Sequence, residues 1–436
     1  MGGKFRMRLQ RAGGLRHREL GKETMGAFHF AAIVRQSDFL LCWTRFFLSA
    51  LLLGGIGGAA LSYGGQDALP ARNSKSTIPA PEFSRMVREF SEPGGVFPTD
   101  NFTSNERSYL HIVERIRTMR ISGGAYIGVG PEQNFTYIAK IRPRIAFIVD
   151  IRRQAVLQHL LYKAIFHLAK NRAQFLALLF SRPAPQPLPR KGDQLQFLLD
   201  NIRAAPTSEE AYLSNLVVIR KTLEEDFRFP LSASDLETIG YIYRAFWRDN
   251  LGIGFSFGRG QFPSGSFGFP TLGNLILATD LQGKRGNFLA REEDYQIVRK
   301  LQEQNRVIPV VGDFGGAKAL RAVADYLHRN HYTVSAFYTS NVEEYLYENN
   351  VFGAFAANTA MLPISGRSVF IRAVRAGWAP HSFWVPSDRI TPFLQRISDF
   401  LDDYRKGLLP NYGRLVSSHA IPPGEPHAEY LPVLRQ

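Results

Sequence analysis

From residue 82 onward, apolar residues alternate between two patterns. Short unbroken runs at 125–129, 145–149 (IAFIV), 307–311 (VIPVV), 333–337 (TVSAF) and 368–373 (SVFIRA) have the length and β-branched content of buried strands. Between them, apolar positions recur at helical spacing. This predicts helices over 82–90, 104–119, 135–141, 152–180, 208–226, 234–249, 292–305, 317–329, 342–348 and 388–405. Thr103 and Glu106 have the spacing of a capping box at the start of the second of these helices.

Strands that alternate with helices imply an α/β fold with a Rossmann-like, mostly parallel sheet. The helices over about 152–300 form a large insertion between the second and third strands, and residues 82–406 make one domain. Residues 407–436 carry Pro and Gly and are expected to be a loose C-terminal tail. The Gly/Phe/Ser stretch 252–273 has no period. It is either a mobile lid or an irregular loop packed by its aromatics.

Before residue 82 the pattern changes. Residues 46–63 (FFLSALLLGGIGGAALSY) carry no charge and follow a leader, 1–45, with nine Lys/Arg against three acids. That order predicts a signal peptide or membrane anchor, with 64–81 as a linker. Gly54, Gly55, Gly57 and Gly58 disfavour a buried soluble helix there. The expected location is the cell envelope, exported or membrane-anchored through 46–63, or the cytoplasm if this segment is not a targeting signal.

The formal charge is +15, yet beyond the leader no Lys/Arg run tracks a phosphate backbone, so no specific nucleic acid is expected. The single cysteine, Cys42, precedes the domain and excludes a disulfide framework or Cys-based zinc site within it. No metal site is expected from the scattered histidines. A Walker A string, an H-E-x-x-H motif and a G-x-S-x-G elbow are absent. The expected partner is a small molecule, and the sequence does not assign an oligomeric state.

The strongest constellation is Gly128-Val129-Gly130 followed by Asp150, 22 residues after the first glycine. The glycines allow a tight bend and a close backbone approach. The acid at the next strand end can accept from ribose hydroxyls. Asp150 can equally cap the following helix or pair with Arg152 or Arg153. Right-handed crossovers would bring Gly130, Asp150, Asp313 and Tyr338 to one edge of the sheet. A dinucleotide fits badly, because Gln133 stands where a third glycine is needed. Glu132 would also face the pyrophosphate, and two like charges about 4 Å apart repel by about 4 kcal/mol at an effective dielectric near 20.

The strings AYIGVGPEQNF…IAFIVDIRR, VIPVVGDFGG and TVSAFYTSNVEEYL resemble the core of class I S-adenosylmethionine-dependent methyltransferases over about 120–150 and 305–345. Over roughly 90–375 the chain resembles more closely a family of uncharacterised bacterial proteins sharing GVGPEQNF, VDIRR, PVVGDF and FYTSNVE. The methyltransferase resemblance implies S-adenosylmethionine as cofactor. It implies a cofactor site at Gly128, Val129, Gly130, Glu132, Gln133, Asn134, Asp150, Ile151, Asp313 and Phe314. Asp150 would meet the ribose and Asp313 the neighbourhood of the adenine. Tyr338, Ser340, Asn341 and Glu343 would face the methyl acceptor. The pattern departs from the family before the glycines, where Tyr126 and Ile127 replace the usual acid. The alternative expectation is a non-catalytic envelope binding or scaffold protein on a degenerate Rossmann-like fold.

Overall fold

The computed structural model describes residues 77–97, 99–183, 187, 193–257, 268–378 and 389–424. The leader, the apolar run 46–63, Cys42, most of the linker and the end of the tail lie outside them. Among the described residues no helix is long and apolar enough to cross a membrane.

A six-stranded sheet organises the domain. Its strands are β1 (Ala125–Gly128), β2 (Ile145–Asp150), β3 (Val307–Val311), β4 (Val334–Ser340), β5 (Val369–Arg375) and β6 (Ile390–Arg396). Their spatial order is 3-2-1-4-5-6, that of a Rossmann-like sheet. β1 to β5 run parallel and β6 pairs antiparallel with β5, with Ile371 opposite Leu394. Every residue of β1, β2 and β3 is buried, so these strands read as unbroken apolar runs covered on both faces. Pro309 and Pro392 fall on the two edge strands, β3 and β6, where a missing N–H is tolerated.

Helices pack on the sheet with aromatic cores. Phe135, from the helix Gln133–Ile141, meets Tyr162, Phe166 and Phe288 edge-on at centroid distances of 5.3–5.4 Å. Across the sheet Phe337, Phe355, Phe370 and Phe400 form a second cluster. Between β2 and β3 the chain is mostly helical, from Arg153–Leu168 to Glu292–Glu303.

Several elements differ from the sequence reading. Thr103 and Glu106 form no capping box: the Thr103 hydroxyl is buried without a partner, and only a 3-10 turn, Tyr109–Ile112, and a short helix, Val113–Thr118, follow. The expected helix 152–180 is two helices, because Asn171 caps a new start by accepting from the Gln174 N–H. The expected helix 388–405 begins as β6, and only Ile397–Arg405 is helical. Residues 407–424 are not loose. The helix Tyr412–Ser417 buries Leu415 and Val416, and Ile421 bridges to Leu394. Of the stretch 252–273, residues 258–267 lie outside the described residues. Ser256–Phe257 pair with Thr99–Asp100 in a two-stranded ribbon.

Candidate functional site

The order of strands reverses between β1 and β4. There the carboxyl ends of β1 to β4 and the loop after Asp100 enclose a cavity of about 330 Å³. This is the switch-point crevice where open α/β sheets bind ligands, at the small end of ligand-site volumes. Val129, Gly130, Asp150, Ile151, Asp313, Phe314, Tyr338, Ser340 and Asn341 all line it. The alternation of strand and helix therefore brings residues from 129 to 341 to one wall.

The bend after β1 presents bare backbone. Gly130 sits at φ 78°, and a Cβ there would meet nothing within 4 Å. Gly128 is different: it does not line the cavity, and a Cβ there would overlap the Asn134 side chain. Asn134 clamps the bend from below. Its amide nitrogen reaches the carbonyls of Val129 (2.9 Å), Gly130 (3.1 Å) and Pro131 (2.8 Å), and its oxygen accepts from the Tyr126 hydroxyl (2.9 Å). His159 adds a fourth restraint, its Nε2 donating to the Gly130 carbonyl at 2.8 Å. Burial lowers the pKa of this imidazole to about 4, so the ring is neutral at pH 7.

Five expected site residues lie off the wall. Gly128, Glu132, Gln133 and Asn134 are turned into the framework beneath the bend, because the helix they open is packed on all sides. Glu132 accepts from the Ser104 N–H at 3.3 Å, its other oxygen is buried without a partner, and burial pushes its pKa up to about 7. Glu343 points away into an ion pair with Arg372 at 3.0 Å, both side chains 1% exposed.

Asp150 lines the cavity but is already engaged. Oδ1 accepts from the Arg152 backbone N–H (2.9 Å) and Nε (3.0 Å), and Oδ2 from the other arm of the guanidinium (2.9 Å). Burial alone would raise its pKa. The Arg152 charge and hydrogen bonds outweigh it and hold the carboxyl below the usual aspartate range. Of the readings open for Asp150, pairing with Arg152 is the one present. Asp313 makes a local turn, accepting from the Gly315 N–H at 2.8 Å, and does not cap the helix Ala319–Arg329.

Glu106 is one of several wall residues that sequence reasoning missed, Ser104 and Tyr345 among the others. It is buried, 2% exposed, in the loop after Asp100. The Tyr338 hydroxyl donates to Oε1 at 2.7 Å, the Ser340 hydroxyl donates to the same oxygen, and Gln133 Nε2 donates to Oε2 at 2.9 Å. Burial pushes its pKa up, and these three neutral donors offset only part of that rise. Tyr338 lies 232 positions away in the chain, so no local spacing could have signalled the contact.

The wall is acidic. Among the described residues it carries Glu106, Asp150 and Asp313, while Arg152, held by Asp150, is its only cationic side chain. Among the described residues no group of three His, Cys, Asp or Glu could hold a metal ion.

No curated protein matches the chain. Residues 101–229 and 273–405 match a family described as a domain of unknown function, DUF7790. The two matched segments contain all six strands, and the gap between them holds the helix Ala233–Asp249 and one strand of the ribbon. With this match spanning more than half of its length, the chain belongs to the DUF7790 family.

Proposed function

We propose that the cavity binds S-adenosylmethionine and that the protein is methyltransferase-like. The observation that carries this reading is the make-up of the wall: Glu106 and Asp313 have no cationic partner among the described residues, and the one guanidinium, Arg152, is already held by Asp150. A phosphate placed about 4 Å from one of these carboxylates would be repelled by about 4 kcal/mol at an effective dielectric near 20. A sulfonium and an ammonium gain from the same wall. The open backbone at Gly130 and the apolar side chains of Ile151 and Phe314 suit a flat adenosine. The bound cofactor would supply an electrophilic methyl group. The contribution of this chain would be positioning, with Tyr338, Ser340 and Asn341 on the acceptor side, and positioning alone can carry much of such a displacement.

A second reading, a non-catalytic binding or scaffold protein, is favoured by one observation. Arg152 occupies both oxygens of Asp150, which leaves a ribose fewer acceptors than an open carboxylate offers.

Calorimetric titration of the full chain with S-adenosylmethionine, S-adenosylhomocysteine, NAD and ATP separates these readings. The cofactor reading predicts micromolar binding of the first two, about −8 kcal/mol, and none of the phosphate-bearing pair. Absence of heat with S-adenosylmethionine up to about 1 mM, where binding would be worth only about −4 kcal/mol, would falsify it.

A further inference from the structure

Half of the buried acids among the described residues are paired with a Lys or Arg. Asp150 has Arg152, Glu343 has Arg372 and Asp294 has Lys140. Asp100, Glu106 and Glu132 have no such partner, and of these three only Glu106 stands on the cavity wall, where all of its hydrogen-bond donors are neutral. A carboxylate removed from water without a counter-charge is costly. Here the structure also invests in holding it in place. Ser340, which aims its hydroxyl at Glu106, adopts a left-handed backbone (φ 54°) that a non-glycine residue takes only at some expense. Tyr338 and Gln133 fix the carboxyl from two further sides. Two aromatic rings, Phe97 and Tyr345, meet edge-to-face at 5.4 Å and also line the cavity. Aromatic rings in the same cavity as a fixed carboxyl suit an organic cation.

We propose that Glu106 is the counter-charge for a primary ammonium group on the ligand of this cavity. The proposal rests on the reading above that the cavity takes a cationic ligand, and it assigns the ammonium to one residue. Burial favours the neutral acid, and an arriving ammonium favours the carboxylate. Tyr338, Ser340 and Gln133 act as positioning residues that keep both oxygens in register.

The test is calorimetric titration of the full chain, wild type and Glu106→Gln. The ligands are S-adenosylhomocysteine, its N-acetyl derivative, n-butylammonium and n-butanol. N-acetylation removes the positive charge and keeps the adenosine and the carboxylate, while butanol is the neutral counterpart of the small amine. For the wild type, the N-acetyl derivative should bind at least tenfold more weakly than its parent, and butylammonium should bind where butanol does not. Glu106→Gln should erase both preferences. If the small amine binds through Glu106 and S-adenosylhomocysteine does not bind at all, the cofactor identity fails and the ammonium site stands. If charged and neutral partners bind the wild type equally, or none binds, the proposal is overturned. The ligand-side comparison needs only the wild type, so it decides even if Glu106→Gln does not fold.

Discussion

Two buried glutamates lie close to the end of β4, and they are handled in opposite ways. Glu343, behind the sheet edge, meets the Arg372 guanidinium at 3.0 Å with both side chains 1% exposed. Glu106, on the cavity wall, is as deeply buried and meets only hydroxyls and an amide. The first arrangement is complete in charge, with only Arg372 Nη2 left without a hydrogen-bond partner. Its two charges cancel, and Arg372 also lies 4.0 Å over the Phe370 ring. The second becomes complete only if a cation arrives from outside. The contrast separates scaffold from site more sharply than burial does, since both acids are equally inaccessible.

The largest expected effect tests the scaffold side. Arg372→Met strands Glu343 without a partner and should cost about 3–5 kcal/mol of stability by urea denaturation. Adding Glu343→Leu should recover most of that loss, because an apolar pair of similar volume avoids desolvating two charges. If the double variant were as unstable as the single one, the unpaired charge would not be the cause.

A second test uses Glu132, a buried acid that has neither a cation nor a place on the wall. Its pKa is raised to about 7 by burial. Below the ordinary glutamate range both folded and unfolded states hold the proton, so it contributes nothing. As pH rises, the unfolded chain releases its proton first, so the folded state loses stability until the folded carboxyl also ionises near pH 7. Glu132→Gln should therefore stabilise the protein at pH 8 by an amount on the order of 3 kcal/mol and change nothing at pH 4. Asp150 should behave in the opposite sense. Its carboxyl is held low, so its contribution is present at neutral pH and fades only as acid titrates it below the usual aspartate range. A pH-independent gain in Glu132→Gln would show that this carboxyl is not desolvated as described.

The smallest effect concerns the bend itself. His159→Phe removes one donor from the Gly130 carbonyl, but Asn134 remains at 3.1 Å. A loss of about 1 kcal/mol is expected, with a few-fold weaker ligand binding. A much larger loss would mean that the imidazole, not the Asn134 amide, is the main restraint on the cavity backbone.

Much of the fold was legible because β1, β2 and β3 are buried on both faces and so appear as unbroken apolar runs. Alternation with helices then implied that Gly130, Asp150, Asp313 and Tyr338 share an edge, and they line one cavity. β6 was not legible: its seven residues (ITPFLQR) run directly into a helix and blend with its apolar pattern. Pro392 was the available signal, since a proline inside a helix removes a backbone bond and clashes with the preceding turn. The Asp150–Arg152 pair is local, two residues apart, and stood among the sequence alternatives. Glu106 could not be found that way. Its partners Gln133 and Tyr338 lie 27 and 232 positions off, and its own polar neighbourhood mimics a helix cap.

If the proposed function holds, a small cationic ligand sits against the carboxyl ends of β1 to β4. Hydrogen exchange of the full chain with and without S-adenosylmethionine tests it most directly. Slowed amide exchange is expected in peptides covering Gly130, Ile151 and Phe314 together, with the helices packed far from that edge unchanged. Protection confined to other segments, or none at saturating ligand, would contradict it.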